Sequence, residues 1–233
     1  MTRDAQPFGA LLVSLVLGCG VAPSRHPGPI INPPLHVLVL ADVSRSIEGR
    51  VPRPTPSELE PLLDYAEAHG GVVAFCVIGC HVRPSVRAVF RRPRAGAEQP
   101  RVNIFLRKPN NPGDFEARRQ EYRVRSLEER ERFLAAVTEL LEETADCTNV
   151  VSSLQRSSVF FEESAPDAAQ VLLIASDMQD TTGIEYELDL DLTVRLLVVT
   201  HSRDLGLLAN QADRVGLFEN FSAAVHAAVP EEP

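Results

Sequence analysis

The residues most able to do chemistry in this 233-residue chain form one short run, Asp42-Val43-Ser44-Arg45-Ser46. It places a carboxylate and two hydroxyls at alternate positions, directly after residues 35–41, an almost wholly apolar segment that reads as a buried strand. Hard oxygen donors at the carboxyl end of a strand stand where open α/β sheets hold their ligands. An oxygen-only donor set suits Mg²⁺, Mn²⁺ or Ca²⁺. The plainer alternative is an Asx or Ser turn capping the next segment, which accounts for Asp42 or Ser44 but asks for nothing elsewhere.

Two later residues extend the set. Thr148 falls in a loop between two helical patterns, and Asp177 follows the apolar run 170–176 as Asp42 follows the first one. If those two strands are parallel neighbours, both carboxylates reach the same edge of the sheet, and Thr148 adds a hydroxyl from the intervening connection. Ser176, Gln179 and Asp180 flank Asp177, and Glu185, Glu187, Asp189 and Asp191 read as an exposed acidic loop.

The elements that must position these groups alternate between strand and helix. Residues 57–69 have a helical pattern, with Ser57 and Glu60 as its capping box and Gly70-Gly71 as its stop. Residues 72–78 are a nearly unbroken apolar run, as in a buried parallel strand. A shorter strand is expected at 102–106 and a turn at Asn110-Asn111-Pro112-Gly113. Helices are expected at 127–145 and 150–161, strands at 170–176 and 192–200, a short strand at 214–218 and a closing helix at 218–229. This alternation predicts an α/β fold, doubly wound, with a mostly parallel central sheet flanked by helices.

Charge and the N-terminal segment bound the partners. The net charge of −9 argues against general nucleic-acid binding. It is unevenly spread: residues 83–125 carry +8, so the remainder carries −17. This basic insertion reads either as a solvated loop or edge hairpin whose arginines pair with the acidic body, or as a docking surface for an anionic partner or anionic lipid headgroups. Residues 1–19, with Arg3, an apolar run at 8–17 and then Gly18-Cys19, resemble a bacterial lipoprotein signal whose Cys19 is lipidated. Residues 20–34 contain Pro23, Pro27, Pro29, Pro33 and Pro34 and read as a semi-rigid tether. No other apolar run is long enough to cross a membrane. The expected location is the cell envelope, lipid-anchored on the extracytoplasmic side, with the outer membrane favoured because Gly20 gives no strong inner-membrane retention signal.

Taken in order, Asp42, Ser44, Ser46, Thr148 and Asp177 resemble the metal-ion-dependent adhesion site of a von Willebrand factor type A domain. That family carries D-x-S-x-S after its first strand, a Thr in a later loop and an Asp after a central strand. The resemblance spans residues 35–229. It implies a Rossmann-like fold and a Mg²⁺ site, with Mn²⁺ or Ca²⁺ as alternatives. Ser44, Ser46 and Thr148 would be direct ligands, and Asp42 and Asp177 would act through bound waters. One coordination position would remain for a Glu or Asp of a partner protein, and Arg45 would either flank that carboxylate or face solvent.

The same resemblance puts Cys80 and Cys147 on the ligand-bearing face, where a disulfide would pin the Thr148 loop; two free thiols are the alternative. Cys76 and Cys80, about 13 Å apart on an extended strand, are too distant to pair. Beside His81 they also lack the further ligands that zinc needs. The implied function is metal-dependent protein binding and not catalysis. The alternatives are a scaffold with a vestigial metal site, or a metal-dependent hydrolase or phosphotransferase. The last is disfavoured because Ser44 stands where an aspartyl phosphotransferase has a second acid, and no His or Cys base is evidently paired with a nucleophile.

Overall fold

Leu-His-Val-Leu-Val-Leu-Ala and Val-Val-Ala-Phe-Cys-Val-Ile supply apolar side chains to both faces of a strand, so both must lie between layers of helices. They form β1 (Leu35–Asp42) and β2 (Gly71–Ile78), paired in parallel from Leu35↔Gly71 to Asp42↔Ile78. The structure is a computed structural model, and it describes residues 32–79, 88–93, 112–179, 193–201, 208 and 213–231.

Six strands form one sheet in the order β3-β2-β1-β4-β5-β6, with β3 (Ala88–Arg92), β4 (Ala169–Ala175), β5 (Arg195–Val199) and β6 (Val215–Phe218). Only β3 runs antiparallel, against β2. The described helices are α1 (Glu60–His69), α2 (Pro112–Glu142), α3 (Val150–Glu162) and α4 (Phe221–Ala228). The fold is therefore α/β, with a mostly parallel central sheet flanked by helices, as in doubly wound Rossmann-like proteins.

Alternation along the strands divides the core in two. Val37, Val39, Phe75 and Leu173 face α1, α2 and α4, where Leu62, Leu63, Phe133, Val137 and Phe221 meet them. Leu38, Leu40, Cys76, Leu172 and Ile174 face Val150, Leu154 and Phe161 of α3. Each large apolar side chain buried in this way contributes about 1.5–3 kcal/mol. No described helix is long and apolar enough to cross a membrane.

Several boundaries move from those expected. The capping box uses Thr55 and Glu58, not Ser57 and Glu60: the Glu58 carboxylate accepts the Thr55 N–H at 2.7 Å, opening a 3₁₀ turn (Pro56–Leu59) ahead of α1. Gly70 (φ 86°) ends α1 as expected. Gly71 is required by closeness, since a Cβ there would lie 2.1 Å from the Leu35 carbonyl oxygen.

Pro112 and Gly113 belong to α2 and not to a turn, because the first helical turn needs no N–H from proline. α2 thus begins fifteen residues before the expected start at 127 and ends at Glu142. Of the basic stretch, the described residues supply β3, an edge strand antiparallel to β2 whose Arg92 pairs with Glu129 as the edge-hairpin reading expects, and the first part of α2, which is neither loop nor hairpin. Asn32 and Pro33, assigned to the tether, already pack on the domain: Tyr65 donates its hydroxyl to the Pro33 carbonyl at 3.1 Å, and Asn32 hydrogen-bonds His69 at 3.4 Å. The signal sequence with Cys19, the tether up to residue 31, the strand expected at 102–106, Asn110, Asn111, Asp180 and the acidic loop at 185–191 lie outside the described residues.

Candidate metal centre

The sheet order fixes where a site can form. From β1 the chain goes to β2 on one side and then returns to β4 on the other, so β1 and β4 flank the topological switch point, where open α/β sheets form a crevice. They pair in parallel, with Ala41 opposite Ala175. Asp42 and the Ser176-Asp177 pair consequently leave adjacent strands at the same edge, as the two apolar runs imply.

Asp42 is 1% exposed, and both carboxylate oxygens are engaged. Oδ1 accepts the Ser44 N–H at 2.8 Å, and Oδ2 accepts the Ser176 hydroxyl at 3.0 Å. Ser44 is fully buried, and its Oγ lies 2.9 Å from that of the exposed Ser46, so the two motif hydroxyls stand side by side. Asp177 is also buried, and its Oδ1 accepts the Gln179 N–H at 3.1 Å.

Thr148 belongs to a loop whose backbone joins the motif. The loop after α2 adds a short parallel bridge to the motif: the Ala145 N–H donates to the Val43 carbonyl at 3.1 Å, and the Arg45 N–H donates to the Ala145 carbonyl at 3.0 Å. Val43 is fixed in turn by donation to the Ile78 carbonyl at 3.2 Å. Three residues after Ala145, Thr148 is fully buried, and Asn149 caps α3 by accepting the Ser152 N–H at 3.0 Å. Gly79 lies under this bridge, where a Cβ would stand 2.9 Å from that of Ala145. The β1, β2 and α2–α3 ends are thus stitched into one unit.

Cys147 is disulfide-bonded, and Cys76 is a buried cysteine outside any disulfide. The partner of Cys147 lies outside the described residues, as does Cys80, one position beyond Gly79. Arg45 faces solvent, paired with Asp146 at 3.3 Å; both side chains are largely exposed.

Electrostatically the site is short of positive charge. Burial pushes the Asp42 carboxyl above the usual carboxylate range; hydrogen bonds from Ser44 and Ser176 oppose this, and the neighbouring Asp177 charge adds to it. Among the described residues no cationic side chain pairs with Asp42. The donors gathered or held nearby are carboxylate and hydroxyl oxygens, a hard set without nitrogen or sulfur, and no described group of three or more His, Cys, Asp or Glu offers a zinc-like alternative. The residues therefore fit a cation of the Mg²⁺ class.

Three features escaped the sequence. Ser176 is the residue that ties β4 to the Asp42 carboxylate, and only the register of two distant strands reveals that. Met178 adopts φ 60°, a left-handed conformation unusual for a side chain of this size, while its N–H donates to Ser176 Oγ at 3.0 Å. A cleft of about 300 Å³ opens beside Asp177, walled by Gly49, Arg50, Gln179, Thr200 and His201. Its far wall comes from the end of β5, which no motif marked. No known protein family matches the chain, and no curated protein matches it as a relative.

Proposed function

We propose that this edge of the sheet holds a Mg²⁺-class cation and presents it to a carboxylate of a partner protein, in a module of the von Willebrand factor type A kind. The observation that carries the reading is the buried Asp42 carboxylate, which among the described residues has only neutral hydrogen-bond donors and a second carboxylate, Asp177, nearby. A buried charge of this kind calls for a counter-charge. Ser44, Ser46 and Thr148 would ligate the ion, and Asp42 and Asp177 would orient its waters. Neutral direct ligands would leave the ion electrophilic enough to take an incoming Glu or Asp. We read the role as binding and not catalysis, in an extracytoplasmic protein anchored through Cys19, with a Cys80–Cys147 disulfide steadying the Thr148 loop.

A scaffold reading rests on a specific observation as well: both Asp42 oxygens are already satisfied within the protein. Capture of partners from an envelope extract separates the two. The binding reading expects proteins that are retained in Mg²⁺ and released by chelator. Retention indifferent to chelator and to Asp42→Asn contradicts it.

A further inference from the structure

We propose that the opposite edge of the sheet, at the amino ends of the parallel strands, is a docking surface for an anionic lipid bilayer. Strand directions and α2 place its parts together. Arg92 pairs with Gly71 at the start of β2, so the end of β3 lies at this edge. The buried Arg92 guanidinium donates to Ser126 at 2.7 Å through the hydroxyl and 3.0 Å through the carbonyl, and it pairs with Glu129, which fixes Ser126 of α2 at the same level.

From Ser126, α2 climbs the sheet through buried Phe133 and Val137 to Glu142, shortly before Ala145 bridges Ser44 at the far edge. In the other direction fourteen residues of the same helix, Pro112 to Arg125, run on past the sheet for about 21 Å. The side chains from Gln120 to Arg125 are exposed on every face of the helix.

What this overhang presents is cationic and apolar together. Arg123 and Arg125 are exposed, as is Arg91 at the end of β3. Val124 (45% exposed) and Leu127 (59%) lie three positions apart and share a helix face with Arg123. Arg91 lines a cleft of about 390 Å³ at this edge, together with His36, Gly71 and Asp167. Residues 83–125 hold twelve Arg or Lys against four Asp or Glu, inside a chain that is otherwise strongly acidic. Arg92 and Arg130 turn inward onto Glu129, Glu60 and Asp64, so the acidic body does not claim Arg91 or Arg123 by any described ion pair. Among the described residues Arg125 pairs with exposed Glu121, a screened contact.

Two arguments select a bilayer as the occupant. Anionic headgroups attract clustered arginines, while Val124 and Leu127 suit the interfacial region beneath them. The chain also enters the domain at this edge, through Asn32 and Pro33, which pack on His69 and Tyr65. The twelve residues between Cys19 and Asn32 reach about 40 Å if extended. The tether argument rests on the lipoprotein reading, but the surface needs no lipid anchor to bind, so a test made without Cys19 separates the failure of one from the failure of the other.

The test uses the full chain carrying Cys19→Ala, mixed with vesicles of phosphatidylcholine alone or with one third phosphatidylglycerol. Sedimentation should show capture that is greater on the phosphatidylglycerol vesicles and weakened by 0.5 M salt. A triple Arg91→Gln, Arg123→Gln, Arg125→Gln variant should bind them about 10- to 100-fold more weakly. All three side chains are exposed, so the fold is not at stake, and Arg132→Gln, farther up the helix, should behave as the parent does. Equal capture on both vesicle types, or a triple variant that binds as well as the parent, overturns the proposal. So does retention on immobilised polyglutamate that the triple variant loses while neither vesicle type distinguishes it, because that assigns the face to an acidic protein.

Discussion

The two edges of this sheet bury opposite charges and treat them differently. At the amino edge, Arg92 is enclosed with its countercharge: Glu129 pairs with it, Glu67 lies at 3.9 Å, Ser126 accepts twice, and the guanidinium sits 4.3 Å above the Phe90 ring. At the carboxyl edge, Asp42 is as deeply enclosed but has, among the described residues, only neutral donors from Ser44 and Ser176, with Asp177 adding charge of its own sign. A buried charge that the protein neutralises is a strut. A buried charge that it leaves without a counter-ion marks a place where something from outside completes the site. The backbone follows the same division, since the positive-φ methionine lies at the carboxyl edge beside Asp177.

The comparison can be broken at the strut first. Arg92→Met removes the cation while leaving Glu129 and the Ser126 carbonyl behind, and should cost about 2 kcal/mol. Glu129 is 38% exposed and can recover water, which keeps the loss below that of a fully buried pair. Chemical denaturation checks it: a loss within error of zero would mean that Arg92 is not what fastens β3 to α2.

A smaller effect should come from His36, at the same edge. Its ring hydrogen-bonds Ser164 Oγ at 2.8 Å, and burial followed by the charge of Arg91 on β3 holds its pKa below 6.5, opposed by Asp167 from the turn before β4. Protonation therefore favours the unfolded chain, so this contribution to stability is full above pH 6.5 and is lost as pH falls toward the lowered value. His36→Gln should flatten the stability profile below pH 6.5 and leave it unchanged above; an unaltered slope would show that the ring is not desolvated.

How much of this was legible in the sequence follows from what each element packs against. β1, β2, β4 and β5 announce themselves because strands covered on both faces must be apolar almost throughout. β3 was missed because an edge strand can be Ala-Val-Phe-Arg-Arg: alternate residues face out, and the buried Arg92 depends on partners on α1 and α2, at Glu67, Ser126 and Glu129. The first half of α2 was missed for the opposite reason, since a stretch so rich in charged residues has no apolar stripe to read. Asp42, Ser44, Ser46, Thr148 and Asp177 stand out by type and order along the chain, and Asp42 and Asp177 do leave neighbouring strands. Ser176 carries no such signal, because its bond to Asp42 follows from the register of β1 on β4.

The central claim is that the Asp42 carboxylate, which has no counter-cation among the described residues, takes one from outside, and Asp42→Asn tests it most directly. The amide keeps the shape and one acceptor but not the charge, so it should not destabilise the metal-free protein as a lost structural ion pair would. Denaturation of parent and variant with and without Mg²⁺ gives the answer. In Mg²⁺ at about ten times its Kd, the parent should gain about 1.4 kcal/mol. The variant should need about 10- to 100-fold more Mg²⁺ for the same gain. A parent that gains nothing from Mg²⁺, or a variant that gains as much at the same concentration, would contradict the account.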